Sequence, residues 1–140
     1  MTLKGILDQL REETSVFRTT LRLEADDFAI AAESLGDGAA SLKGPVPFDL
    51  RRTGTYQWIA QERSILVQSD VREGPNPPKE LFEVYGVGSQ MLSGLFDGDH
   101  LVGIISVHHA ATPREWTEEE ISALERATAA IEAELARDNS

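Results

Sequence analysis

The 140-residue chain contains no cysteine. That absence removes disulfides, thiolate zinc sites, iron–sulfur clusters, thiol catalysis and thioether-linked cofactors. Basic residues are scarce as well: 13 Lys and Arg against 24 Asp and Glu leave a net charge of −11. A surface of that sign repels phosphate backbones and anionic headgroups, which sets aside nucleic acid and membranes as partners. Apolar runs near the ~20 residues that span a bilayer are missing, and residues 1–4 open no signal-peptide core, so a cytoplasmic protein is expected. Phosphate-cradling glycine loops and a Gly-x-Ser-x-Gly nucleophile elbow are also missing. What is present is a globular composition, 41% apolar and 26% charged. At 15.4 kDa the chain has the size of one domain, 1–140. That length buries roughly 70% of the unfolded surface without help from metals or cross-links.

The hydrophobic pattern changes period along the chain. Leu3, Ile6, Leu7 and Leu10 recur at helical spacing over 3–13. Over 17–23, Phe17, Thr19, Leu21 and Leu23 alternate with Arg18, Thr20 and Arg22, the mark of a half-buried strand. A polar turn at 24–27 leads to a second strand at 28–34. A short helix begins near Thr53, and 64–71 reads as a strand with Ile65 and Val67 on one face and Leu66 and Gln68 on the other. The proline-rich 72–78 is loop, and 79–85 a short helix ended by Gly86. Two apolar runs, 90–96 and 101–109, flank Asp97-Gly98-Asp99-His100, a hairpin turn. Thr117 with Glu120 forms a capping box, Trp116 with Ile121 a hydrophobic staple, and a helix follows over 118–137. This order predicts an α+β domain with a central antiparallel sheet of five or six strands and the terminal helices packed together on one face.

Three stretches resemble the GAF domain, a small sensory module related to PAS. Val67-Gln68-Ser69-Asp70-Val71 is similar to the family's strand ending in Asp-Val. Ser89-Gln90-Met91-Leu92-Ser93-Gly94-Leu95 resembles its next strand. The longest likeness runs from Asp97 through Gly103-Ile104-Ile105-Ser106-Val107-His108-His109 to Pro113-Arg114-Glu115-Trp116-Thr117-Glu118-Glu119-Glu120. The resemblance implies short helices and loops closing over a ligand pocket, on the sheet face opposite the terminal helices, with 48–88 as the lid. It also implies a sensory rather than an enzymatic role. Stand-alone members that reduce methionine sulfoxide work through cysteines, and this chain has none. Covalent bilin attachment through cysteine is excluded on the same ground. The cyclic-nucleotide signature cannot be laid on a chain whose asparagines are Asn76 and Asn139 alone.

His108 and His109 are neighbours on a strand, point to opposite faces and cannot chelate one ion, so haem and metals are disfavoured and the cofactor is left unknown. The candidate ligand-binding neighbourhood is Tyr56, Trp58, Asp70, Phe82, Tyr85, Met91, Ser93 and His108, an apolar pocket with a few placed polar groups. Arg51 and Arg52 read as solvated, and Asp70 also as a turn cap. Along the last helix Ile121, Leu124, Thr128, Ile131 and Leu135 step by three and four, a heptad seam broadened by alanines. A homodimer is expected from it. The sequence thus predicts a module that binds a small organic or anionic molecule, without catalysis, and signals through an effector protein in trans. A ligand-free dimeric interaction module is the alternative, and a cysteine-independent enzyme a third and weaker one.

Overall fold

The computed structural model describes residues 2–44, 49–73 and 86–138. Helix α1 (Leu3–Thr14) starts at Thr2, whose hydroxyl accepts from the Gly5 N–H at 2.9 Å, and ends at Ser15 in the left-handed region. Strand β1 (Arg18–Leu23) and strand β2 (Ile30–Leu35) are joined through a 3₁₀ turn at Glu24–Asp26. The second strand therefore starts two residues later than its apolar run. Phe28 sits at φ +58, a region costly for a bulky side chain, and its backbone is held on both sides. Its N–H donates to Leu23 O at 2.9 Å and its carbonyl accepts from Arg22 Nη1 at 2.9 Å.

Helix α2 (Gly54–Glu62) follows a 3₁₀ turn at Leu50–Arg52 and is capped by Thr53, as expected. Strand β3 is only Leu66–Gln68, shorter than its 64–71 pattern, because Asp70 turns the chain by accepting from the Arg72 N–H at 3.0 Å. The helix expected over 79–85 lies outside the described residues. Strands β4 (Val87–Asp97) and β5 (His100–Ala110) form the long hairpin, with Gly98 at φ +61 in its two-residue turn. Gly88 admits no side chain, since a Cβ there would stand 2.3 Å from the Thr112 nitrogen. Helix α3 (Glu118–Asp138) closes the chain.

The sheet order is β2-β1-β5-β4-β3, with every neighbouring pair antiparallel. Period 2 divides its side chains between two faces. Leu21, Met91, Leu95, Ile105 and Val107 lie beneath α1 and α3, in one core with Ile6, Leu7, Leu10, Leu124 and Ile131. Each fully buried leucine or isoleucine there contributes roughly 1.5–3 kcal/mol. Both terminal helices cover this one face, as the pattern predicts. The heptad seam is spent within the domain: Leu124 and Ile131 are buried, Ile121 and Leu135 pack at the margin, and Thr128 hydrogen-bonds Ser93. Arg114 straps the two helices together. Its guanidinium donates to Thr14 O at 2.7 Å, at the end of α1, and pairs with Glu120 in the first turn of α3.

Candidate functional site

The opposite sheet face is unusual in what it buries. Arg18, Thr20 and Arg22 on β1 alternate with Thr19, Leu21 and Leu23, and the alternation suggests a solvated side. All three are instead buried, at 1%, 0% and 6% exposure. The register lines up Arg18 of β1, His108 of β5, Gln90 of β4 and Gln68 of β3 as one buried polar row across four strands. The next row holds Glu33, Thr20, Ser106, Leu92 and Leu66. From Leu92 and Leu66 onward the face turns apolar: these two, with Phe28, Leu101 and Ile104, pack against Ile59 of α2. One face thus carries a polar head beside an apolar body.

The polar row is hydrogen-bonded as two pairs, Arg18 with His108 and Gln90 with Gln68. Arg18 Nε donates to Ala40 O at 3.1 Å, and its Nη1 lies 3.3 Å from His108 Nδ1. A guanidinium only donates, so Nδ1 accepts and the ring proton sits on Nε2. Burial, reinforced by Arg18 and Arg22, holds the His108 imidazole well below its usual range, and the ring is neutral at pH 7. Gln90 Nε2 donates to Gln68 Oε1 at 2.6 Å, and Gln68 Nε2 to Glu73 O at 3.3 Å. Glu33 accepts from the Ser41 hydroxyl and from the Leu42 N–H at 3.1 Å, which draws 41–42 over the sheet. Thr20 is the exception. Its Oγ1 is fully buried and has no hydrogen-bond partner among the described residues. A buried orphan hydroxyl costs about 1–3 kcal/mol, a cost that a ligand atom could relieve. Among the described residues this face carries two guanidiniums, both already hydrogen-bonded, an Nε2–H and this hydroxyl against the Glu33 carboxylate, a donor-rich set on a protein of net charge −11.

The sequence-based neighbourhood is only partly brought together. His108 lies on the polar row, and His109 points the other way, half-buried beside Thr112. Tyr56 and Trp58 pack with the apolar half, Tyr56 edge-on to Phe28 at 5.5 Å between centroids. Met91 and Ser93 are on the helix-covered face, separated from His108 by the sheet, because β4 turns its odd positions toward α3. Asp70 caps the 70–73 turn, half-exposed and 3.8 Å from Arg72. Phe82 and Tyr85 lie outside the described residues. Arg51 is engaged with Asp27 at 2.9 Å and stacked over Phe28, whereas Arg52 stays at the surface near Asp49. Arg18, Thr20, Arg22, Gln68 and Gln90 were legible only as polar members of strands. Among the described residues, no group of three or more His, Asp or Glu is placed to hold a metal ion.

The architecture is thus an α+β one, with an antiparallel sheet in this order, the terminal helices on one face and a buried polar row on the other. The GAF domain family model matches residues 1–135, and the chain belongs to that family. No curated protein sequence matches this one. The fold is similar to the cyanobacteriochrome TePixJ GAF domain, at 20% identity over 96% of this chain and 87% of that one, with a TM-score of 0.77. It is also similar to a far-red cyanobacteriochrome photoreceptor, at 18% identity, 96% and 84% coverage and a TM-score of 0.79. A third solved structure, a far-red-absorbing dark state with bound biliverdin IXa, is 21% identical over 99% and 92% of the two chains, with a TM-score of 0.76. The expectation that left the cofactor unknown, with a covalent bilin excluded and haem disfavoured, is corrected by these structures: this fold carries a bilin in a neighbour that is similar over nearly the whole chain.

Proposed function

We propose that this GAF domain is a non-catalytic sensory module that takes a small organic anion on the sheet face opposite the terminal helices. The observation that carries the reading is the buried row Arg18–His108–Gln90–Gln68 with the orphan Thr20 hydroxyl beside it. A ligand with an anionic head and an apolar or aromatic body matches the two halves of that face, and a bilin is one such ligand. Arg18 and Arg22 would hold its carboxylates, and His108 and Thr20 would orient it. Output would pass to a partner protein, with the exposed Ala133 and Ala136 of α3 available for pairing of two copies.

Biliverdin and a panel of aromatic carboxylates, added to the purified protein in thermal melts, test the reading. At 100 times its dissociation constant, a specific ligand stabilises the domain by about 2.7 kcal/mol, several degrees for a chain of this size. Arg18→Met should abolish the shift. A panel that never moves the melt, with Arg18→Met behaving as wild type, would favour a ligand-free interaction module.

A further inference from the structure

A second concavity lies on the helix-covered face, across the sheet from the polar row. It is a groove of about 530 Å³ between α3 and the wall formed by 63–65 and β4. Ile65 and Ile121 give it apolar sides, and the hydrogen-bonded Ser93 and Thr128 hydroxyls lie 2.8 Å apart in its floor. Along α3 it runs from Ile121 to Glu132, about 16 Å or three helical turns. It exists because the helix layer is narrower than the sheet: α1 lies over β1 and β2, and α3 over β4. The β3 edge is left at the margin, and Val67, on the same face as Met91, is 41% exposed.

Charge identifies the occupant. Glu125 and Glu132 stand one heptad apart on the α3 wall, both exposed, while Arg63 on the other wall is stacked over Phe96 at 4.0 Å and lies 3.8 Å from Asp99. A second copy of the chain would bring another −11 and the same acidic wall against this one. We propose that this groove docks a cationic amphipathic helix of a partner protein, apolar along the Ile65–Ile121 side and bearing Lys or Arg seven residues apart toward Glu125 and Glu132. The inference supplies the partner half of the sensory reading and is independent of its ligand half.

The probe is a synthetic helix of about 18 residues with a leucine stripe flanked by lysines at i and i+7, titrated without ligand by fluorescence anisotropy at about 0.15 M salt. Saturable binding is expected, with amide shifts concentrated at Ser93, Gly94 and Thr128. Glu125→Lys with Glu132→Lys should weaken it about tenfold, since each exposed pair contributes at most about 1 kcal/mol. Asp26→Lys with Asp37→Lys makes the same change in net charge away from the groove and should alter affinity less than twofold. Equal weakening by both double variants, or no saturation, would overturn the proposal. A dimer that Ala129→Trp dissociates would overturn it too, by making a second copy the occupant. Because no ligand is present, none of these outcomes bears on the melts with biliverdin.

Discussion

The indole N–H of Trp116 donates to the main-chain carbonyl of Gln68 at 3.3 Å and so ties the start of α3 to the strand at the end of the buried polar row. The same carbonyl accepts from the Ser89 hydroxyl at 2.8 Å, and the Arg114 N–H donates to the next carbonyl, Ser69 O, at 2.9 Å. Gln68 thus has its side chain on the ligand-type face and its backbone under the exit segment. A ligand that displaces Gln90 from Gln68 would move the strand on which Trp116 hangs.

Trp116→Phe keeps an aromatic ring against the core but removes the N–H donor and part of the indole's packed surface. It should cost at least about 1 kcal/mol in urea denaturation, the ordinary net contribution of the hydrogen bond alone. Trp58 then remains as the single tryptophan, excited selectively on the apolar half of the proposed site. Binding there should change its emission, and an unchanged emission on saturation would place the ligand elsewhere.

The capping box is formed in both directions: Glu120 N–H donates to Thr117 Oγ1 at 3.1 Å, and Thr117 N–H to Glu120 Oε1 at 2.9 Å. Thr117→Ala should cost about 1 kcal/mol. Glu120→Ala should cost more, because its carboxylate also anchors the part-buried Arg114, which holds the end of α1. Denaturant midpoints that rank the two variants in the opposite order would show that the strap contributes nothing beyond the cap.

His108 gives the domain a pH dependence of definite sign. Its folded pKa is depressed below 6.5, so the unfolded chain takes up the proton first as the pH falls. The stability is fully present above about pH 6.5 and is lost below it, at no more than about 1.4 kcal/mol per pH unit for one proton. His109, also depressed by burial and by Arg114, adds a contribution of the same sign. The depressed carboxyls of Asp8, bonded to Ser34, and Glu13, bonded to Gln9, lose their contribution only near pH 4 and below. His108→Gln should therefore flatten the stability profile between pH 7.5 and 5.5, measured by urea titration at each pH.

Local signals were strong where one residue type does one job. The helix start at Thr53, the Thr117–Glu120 box and the Gly98 turn each fix backbone donors or a positive φ, and each is visible as a short pattern. The site was less legible. Alternation over 17–23 shows that β1 has two faces, but polar residues on one of them read as solvated, and only the sheet and its cover reveal that Arg18 and Thr20 are buried. Likewise, the spacing over 89–96 separates Met91 and Ser93 from Gln90 and Leu92 without stating which set α3 covers. That choice is made by long-range pairing with β1 and β5, which no local pattern contains. A polar residue at a central strand position, repeated at matching positions on three strands, was the available clue.

Thr20→Val separates stability from function at the proposed site. Valine has nearly the shape of threonine but no hydroxyl, so it removes a buried donor and acceptor that has no partner. Relief of that desolvation should raise the stability of the unliganded domain by about 1 kcal/mol, since the hydroxyl makes no bond to lose. The same change removes a group offered to a ligand, so affinity should fall by about 1 kcal/mol or more, roughly fivefold or greater. A higher unliganded melting temperature together with a smaller ligand-induced shift is the expected pair of results. Arg18→Met serves as the reference that lowers ligand affinity without relieving an orphan hydroxyl. If Thr20→Val instead destabilises the unliganded protein and leaves the ligand shift intact, the hydroxyl is a structural group and the ligand head lies away from β1.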